Sequence, residues 1–263
     1  MGSISITSVT KRFQTGDSFV TALDDVNLAV QEKEIVTLVG ASGCGKSTLL
    51  NLIAGFETPT VGQVLVDGQS IKGPGPDRGV VFQQTALFPW LSVADNIAFG
   101  LSLRANRGKG DQQQVVERML QRTGLSAFRE RRPAELSGGM RQRAAIASVL
   151  AITPSTLLMD EPFGALDSLT RSVMQDFLLE IWEEQRKTVV LVTHDIDEAI
   201  YLADKTVVMT AHPGRIREVI NINLPRPRRY EMRSETPFIE LRDHVTSIVR
   251  TEAIKGSAMS AID

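Results

Sequence analysis

The segment Ile35-Val36-Thr37-Leu38-Val39-Gly40-Ala41-Ser42-Gly43-Cys44-Gly45-Lys46-Ser47-Thr48-Leu49-Leu50-Asn51-Leu52-Ile53-Ala54 decides the fold. Its centre, Gly40 to Thr48, fits the pattern G-x-x-x-x-G-K-[ST]. The apolar run Ile35 to Val39 predicts a buried strand leading in, and Thr48 to Ala54 a helix leading out. Glycines at 40, 43 and 45 let the backbone curl until successive N–H groups point at one anion, and the helix N-terminus adds its partial positive charge there. Lys46 would reach the β- and γ-phosphates of a nucleotide, and the Ser47 hydroxyl would ligate Mg²⁺. Cys44 lies inside the loop, so a bulky maleimide there is expected to fill the phosphate space, with Mg-ATP protecting.

Working outward, short strand-like runs alternate with polar turns before this loop (Ile4-Ser5-Ile6, Ala29-Val30), and Gly62 to Gly68 reads as a strand ended by a turn. Gly73-Pro74-Gly75-Pro76 breaks the chain, and Gly79-Val80-Val81-Phe82 predicts a further strand. From about 89 to 155 the spacing is helical, at Val115 to Leu120 and Arg141 to Leu150. Strand character returns at Thr156 to Met159 and Thr188 to Val192, both continuously apolar, as in a parallel sheet covered on both faces. Leu166 to Trp182 is the crossover helix between them. Strand signals end near Leu224, leaving a short tail with one helix over 238–252. The expected organisation is one domain: residues 1–88 and 156–224 a nucleotide-binding core, 89–155 an inserted helical subdomain, 225–263 a tail.

Composition narrows the function. Over 263 residues, 42% hydrophobic and 23% charged content suits a globular chain with a sizeable core. A formal charge of −2 gives no electrostatic footprint for nucleic acid. A single cysteine excludes an intramolecular disulfide. The stretch Met1 to Ile6 carries neither the charged nor the apolar region of a signal peptide, and no apolar run approaches the ~20 residues that span a bilayer.

Two further places carry chemistry. Asp160 and Glu161 close the 156–159 strand, at the edge where open α/β sheets bind ligands; Asp160 suits an outer-sphere partner of Mg²⁺ and Glu161 a base for the attacking water. His194 ends the strand 188–192 in the same way. In Leu136-Ser137-Gly138-Gly139-Met140, Ser137 is a good N-cap, so Ser137, Gly138 and Gly139 form a second anion cradle at a helix start.

Taken in order, these segments resemble an ATP-binding-cassette (ABC) ATPase over nearly the whole chain. Gly40 to Thr48 is similar to its Walker A loop, Gln83 to its Q-loop glutamine, Leu136 to Met140 to its signature, and Leu157 to Glu161 to its Walker B strand. Ala165-Leu166-Asp167 resembles the D-loop, His194 the switch histidine, and Phe13 the aromatic that stacks on adenine, with Phe19 a nearby rival. Two places depart: Met140 where the signature usually has Gln, and Ser148 where the next helix usually has Arg.

The resemblance implies an α/β P-loop NTPase core with a mostly parallel sheet, an antiparallel β subdomain and an α-helical insertion. It implies ATP and Mg²⁺, with Ser47 and Gln83 as metal ligands and Glu161, His194 and Gln83 as catalytic residues. It also implies a head-to-tail dimer, integral-membrane permease subunits, and, indirectly, a periplasmic or lipid-anchored binding protein, all at the cytoplasmic face of a bacterial inner membrane. Gly73 to Gln83, Leu87-Phe88-Pro89-Trp90-Leu91-Ser92-Val93, Pro162 to Asp167 and His194 to Ala199 resemble importers of nitrate, taurine and alkanesulfonates. Phe88 and Trp90 would then line the groove for a permease helix, with packing inside the helical subdomain as the competing reading. A cassette serving lipid-trafficking or cell-division machinery would share the core motifs and stays open as the alternative.

Overall fold

The computed structural model describes residues 2–103 and 111–259. In chain order its elements begin with β1 (Ile4–Thr15), β2 (Ser18–Val30), β3 (Ile35–Val39), α1 (Lys46–Ala54), β4 (Val61–Val66), β5 (Gln69–Ser70) and β6 (Arg78–Val81). Helices α2 (Val93–Ser102), α3 (Gln112–Arg122) and α4 (Gly138–Ala151) follow. The remainder are β7 (Thr156–Asp160), α5 (Ser168–Gln185), β8 (Thr188–Val192), α6 (Ile196–Leu202), β9 (Lys205–Met209), β10 (Ile216–Asn221) and α7 (Thr236–Met259). Two compact units divide the chain, with boundaries after Gly75 and after Gln185. No helix among the described residues is long and apolar enough to cross a membrane.

The first unit holds two sheets. One is antiparallel, in the order β2-β1-β4-β5, with Ile4 opposite both Val30 and Val66. The other runs β10-β9-β3-β8, with β3 parallel to β8 and β9 and β10 an antiparallel edge. All five residues of β3 and all five of β8 are buried, which is why both read as unbroken apolar runs. The one hydroxyl inside β3 is satisfied: Thr37 Oγ1 lies 3.0 Å from Thr206 Oγ1 and 3.3 Å from the Ala199 carbonyl. Helix α1 packs against β8 on one side and β2 and β4 on the other, sinking Leu49, Leu50, Leu52 and Ile53. Each such side chain contributes about 1.5–3 kcal/mol by leaving water.

The second unit contains the parallel pair β6-β7, with Arg78 opposite Thr156 and Val81 opposite Met159, and helices α2 to α5. Helices α2, α3 and α4 pack on one another. Ahead of α2, the buried Asn96 amide organises the turn over residues 88–92. Its Oδ1 accepts from the Phe88 N–H at 2.8 Å, and its Nδ2 donates to the carbonyls of Phe88, Leu91 and Ser92 at 2.9–3.2 Å.

Several elements run beyond their sequence reading. Strands β1 and β2 are far longer than Ile4–Ile6 and Ala29–Val30, because a bulge after Ile6 breaks the two-residue alternation by which a strand is recognised. Ser8, at φ 46, occupies that bulge, and its N–H is held by Asn27 Oδ1 at 2.8 Å. Helix α1 starts at Lys46 rather than Thr48, and α7 spans 236–259 rather than 238–252. The strands β9 and β10 have no separate sequence expectation, and β10 is mostly exposed.

The Asn96 clamp predicts a specific loss. Asn96→Ala leaves part-buried backbone groups of the 88–92 turn without their partner and should cost about 1–3 kcal/mol. Urea unfolding of the purified chain checks this, and a midpoint equal to the wild type's would show that the turn holds itself.

Candidate nucleotide site

At the C-terminal end of β3 the chain must pass from a buried strand into a helix within a few residues. Gly45, the residue before α1, is left-handed at φ 89, and a Cβ there would lie 2.6 Å from Leu23 Cδ2 and 2.9 Å from the Ala22 carbonyl. Glycine is therefore required twice over, by conformation and by space. Helix α1 has no side-chain cap and no acidic residue in its first turn. Helices α2, α3, α4 and α6 are capped by Ser92, Asp111, Ser137 and Asp195, and α5 by Asp167. Unlike these five, α1 follows a glycine loop with its end uncapped, and its amides carry the helix's positive end.

Lys46 is buried with its ammonium turned back on the loop. Nζ donates to the Gly40 carbonyl at 2.9 Å and the Ala41 carbonyl at 3.0 Å, with Cys44 Sγ at 3.5 Å. The charge is thus held in the mouth of the loop by groups that an anion's oxygens can replace. Cys44 corrects one expectation. Its side chain lies on the inner side of the loop and is 1% exposed, so the access that maleimide labelling requires is absent from this structure. The physical reason is crowding: a Cβ at Gly40 would meet Cys44 Sγ at 3.0 Å and the Met209 carbonyl at 2.9 Å.

The same unit places His194, exposed, directly after β8, where Thr193 Oγ1 takes the Asp195 N–H at 3.0 Å and Asp195 caps α6. Phe13 stands on β1 opposite Val20, half-buried, with the Lys11 ammonium 4.7 Å from its ring centre. Lys11 is fixed there by Glu57 at 2.6 Å and the Thr58 carbonyl at 3.0 Å. Phe13 is therefore not a core ring. Its rival Phe19 is 67% exposed.

In the second unit, β7 delivers Asp160 at its last residue and Glu161 immediately after it. Glu161 adopts φ 45, an uncommon conformation for a side-chain-bearing residue. Gln83 Nε2 donates to Glu161 Oε2 at 3.1 Å, so these two residues, read separately in the sequence, form one polar pair. Downstream, the Glu161 carbonyl accepts from Gly164 N–H at 3.2 Å, and Phe163, 1% exposed, anchors the turn. Asp167 Oδ1 accepts the Thr170 N–H at 3.0 Å. That bond, followed by the Thr170 hydroxyl, holds the Asp167 carboxyl below the usual carboxylate range.

Ser137 accepts the Met140 N–H at 3.2 Å and caps α4 as expected, which leaves its hydroxyl hydrogen to donate outward. Gly139 abuts the 161–167 turn, since a Cβ there would come within 3.3 Å of Leu166 Cδ2 and 3.6 Å of the Ala165 carbonyl. Ser148, one of the two departures, folds its hydroxyl onto the Ala144 carbonyl at 2.8 Å and satisfies itself within the helix. The Gln83–Glu161 bond was not legible in the sequence, because 78 residues separate the partners and nothing in either segment encodes the meeting.

Comparison with known proteins identifies the family. The ABC transporter family model matches residues 23–164. An uncharacterized ABC transporter ATP-binding protein of Methanocaldococcus jannaschii is 48% identical over 252 residues, covering 96% of this chain and 93% of that protein. A nitrate import ATP-binding protein of Synechococcus elongatus is 50% identical over 244 residues, covering 92% and 89%. Among solved structures, a dimeric ATP-binding cassette in a post-hydrolysis state, bound to ADP and Pi, superposes with a TM-score of 0.76 at 33% identity, over 84% of this chain and 100% of that one. An uncapped helix behind a glycine loop, a strand-end carboxylate pair and a match spanning most of the chain lead to one conclusion: the chain belongs to the ABC transporter family, as an ATP-hydrolysing cassette.

Proposed function

We propose that this cassette drives an importer of a small anion of the nitrate, taurine or alkanesulfonate class, working from the cytoplasmic face of a bacterial membrane. The observation that carries the reading is the 50% identity to a nitrate import ATP-binding protein across nearly all of both chains. It is supported by an aromatic cluster just beyond Gln83: Phe88 lies 5.5 Å from Trp90 and 4.4 Å from Phe99, ring centre to ring centre. Trp90 is 66% exposed and Phe99 40%, which argues against their serving as packing alone and for a docked helix of a permease. We take residues 89–155 as the helical subdomain that presents this cluster.

In this reading Gly40, Ala41, Ser42, Gly43, Cys44, Gly45, Lys46, Ser47 and Thr48 hold the ATP phosphates, Lys46 exchanging its loop carbonyls for β- and γ-oxygens. Phe13 stacks on adenine. Among the described residues there is no cluster of three or more His, Cys, Asp or Glu that could hold a metal. Mg²⁺ takes oxygen ligands together with substrate phosphates, and the Ser47 hydroxyl, the Gln83 amide oxygen and the Asp160 carboxylate are oxygen donors of that kind. Ser47, Gln83 and Asp160 would hold it, and it would neutralise charge on the phosphates. Glu161 takes the proton of the attacking water, Gln83 orients the Glu161 carboxylate, and His194 contacts the γ-phosphate. Ser137, Gly138, Gly139 and Asp167 of one copy close on the ATP held by a second copy, head to tail. A periplasmic or lipid-anchored binding protein and the permease select the anion, and nucleic acid is no partner.

Two tests separate the parts. Glu161→Gln keeps the side chain's shape and an amide oxygen that can still accept from Gln83 Nε2 but removes the base, so hydrolysis should fall by about 10²–10⁴-fold with ATP affinity retained. Size exclusion should then show an ATP-dependent dimer; hydrolysis at the native rate would remove Glu161 from its role. Lys46→Ala should weaken nucleotide binding by about tenfold or more.

The docking reading has its own check. Trp90→Ala is expected to leave ATP affinity intact while weakening co-purification with the six-helix permease by about thirtyfold, the loss typical of an interface hot spot. Co-purification with a lipid-trafficking complex instead of a permease and an anion-binding protein would sink the importer reading.

A further inference from the structure

The end of β9 and the turn over residues 210–215 that follows it lie against the Gly40–Thr48 loop, each meeting it at one backbone position. Gly40 sits over the Met209 carbonyl, where a Cβ would come to 2.9 Å. At the other end, a Cβ on Gly214 would land on the Cys44 carbonyl oxygen, deep inside van der Waals contact, and 3.1 Å from the Ala22 carbonyl. The φ of Gly214 lies outside the left-handed range, so glycine is needed here for space alone.

The turn itself is held firmly. Thr210 N–H donates to the Arg215 carbonyl at 2.9 Å, Arg215 N–H to Thr210 Oγ1 at 2.9 Å, and Thr210 Oγ1 to the Pro213 carbonyl at 3.0 Å. It is also stitched to β2: Gly214 N–H donates to the Ala22 carbonyl at 3.0 Å, Asp24 N–H to the Gly214 carbonyl at 2.9 Å, and Arg215 Nε to Asp24 Oδ2 at 3.0 Å. Residues 22 and 23 press on Gly45 from the same side. The loop thus rests on a braced floor. The Cys44 carbonyl and the Gly45 N–H belong to one planar peptide, so a push on the oxygen turns the N–H with it.

We propose that Gly214 is a positioning residue for the phosphate loop: its missing side chain lets the 210–215 turn seat against the Cys44 carbonyl and so sets the direction of the Gly45 N–H. The proposal rests on the reading of Gly40–Thr48 as the phosphate cradle. It assigns a role in nucleotide affinity to a turn more than 160 residues away in sequence, acting through the loop's backbone.

The test is made on the full chain with Mg-ATP and with ADP. Gly214→Ala should raise KM for ATP and the Kd for ADP by about tenfold, the cost of misdirecting a charge-assisted hydrogen bond, while kcat changes less than about threefold. A merely structural glycine would lower the melting temperature and leave KM per folded molecule unmoved. Arg215→Ala removes the exposed clasp to Asp24 without adding bulk and should raise KM about two- to threefold; it decides the matter if Gly214→Ala fails to fold. Lys46→Ala measured alongside separates the two levels. Unaltered nucleotide affinity there overturns the phosphate-cradle reading and this proposal with it. Lost affinity there, with KM and Kd unchanged in Arg215→Ala and in any folded Gly214→Ala, overturns this proposal alone.

Discussion

The molecule's chemistry depends on a helix that begins without a cap. In α2 to α6 the first-turn amides are met by a neighbouring side-chain oxygen, from Ser92, Asp111, Ser137, Asp167 or Asp195. At α1 the position before the helix is Gly45, which supplies no oxygen and stands in a left-handed conformation. An uncapped helix end costs stability in an isolated helix, typically about 1 kcal/mol. Here the cost is offset by packing: four large apolar residues of a nine-residue helix are fully buried between two sheets. The amides can remain available for an anion because the apolar face of the helix, and not its cap, holds it in place.

The same division of labour governs the strands. Strands β3, β7 and β8 are apolar apart from the threonines Thr37, Thr156 and Thr188, and charged or ligand-facing residues come only where they end, at Gly40, at Asp160 with Glu161, and at Thr193 with His194. A strand buried on both faces has no side for a charged group, so chemistry is forced to the residue after the last hydrogen-bonded position. This is why these sites were legible in the sequence as abrupt changes from apolar runs to polar residues. Ser137 was legible for a related reason, because an N-cap is a local device whose donor lies three residues away.

What was not legible depends on contacts between distant segments or on local breaks in periodicity. The bulge at Ser8 erases the alternation of β1, so that a long strand reads as a fragment. Helix α1 gains Lys46 and Ser47 because Gly45, and no polar residue, starts it. Cys44 looked reactive from its position in a cationic loop, whereas the fold packs its sulfur beneath Gly40. Gly214 carries no motif at all, and only the structure shows that its lack of a side chain is occupied by a carbonyl of the phosphate loop.

Backbone strain marks Glu161, but strain alone would not single it out. Ser8, Asp25, Lys33, Asp67, Thr153 and Arg186 also have φ between 46 and 64. Of these, Ser8 lies in the β1 bulge, and Lys33, Asp67, Thr153 and Arg186 lie between secondary-structure elements, where a left-handed residue simply reverses the chain. Glu161 differs in what surrounds it. It directly follows a strand buried through Met159, its carboxylate receives the Gln83 amide, and the turn after it is tied down by the Gly164 N–H and by buried Phe163. A conformation costing about 1 kcal/mol persists only where such neighbours over-determine it. At Glu161 they fix a carboxylate at the strand end beside the Gln83 amide, where the proposed base for water would stand.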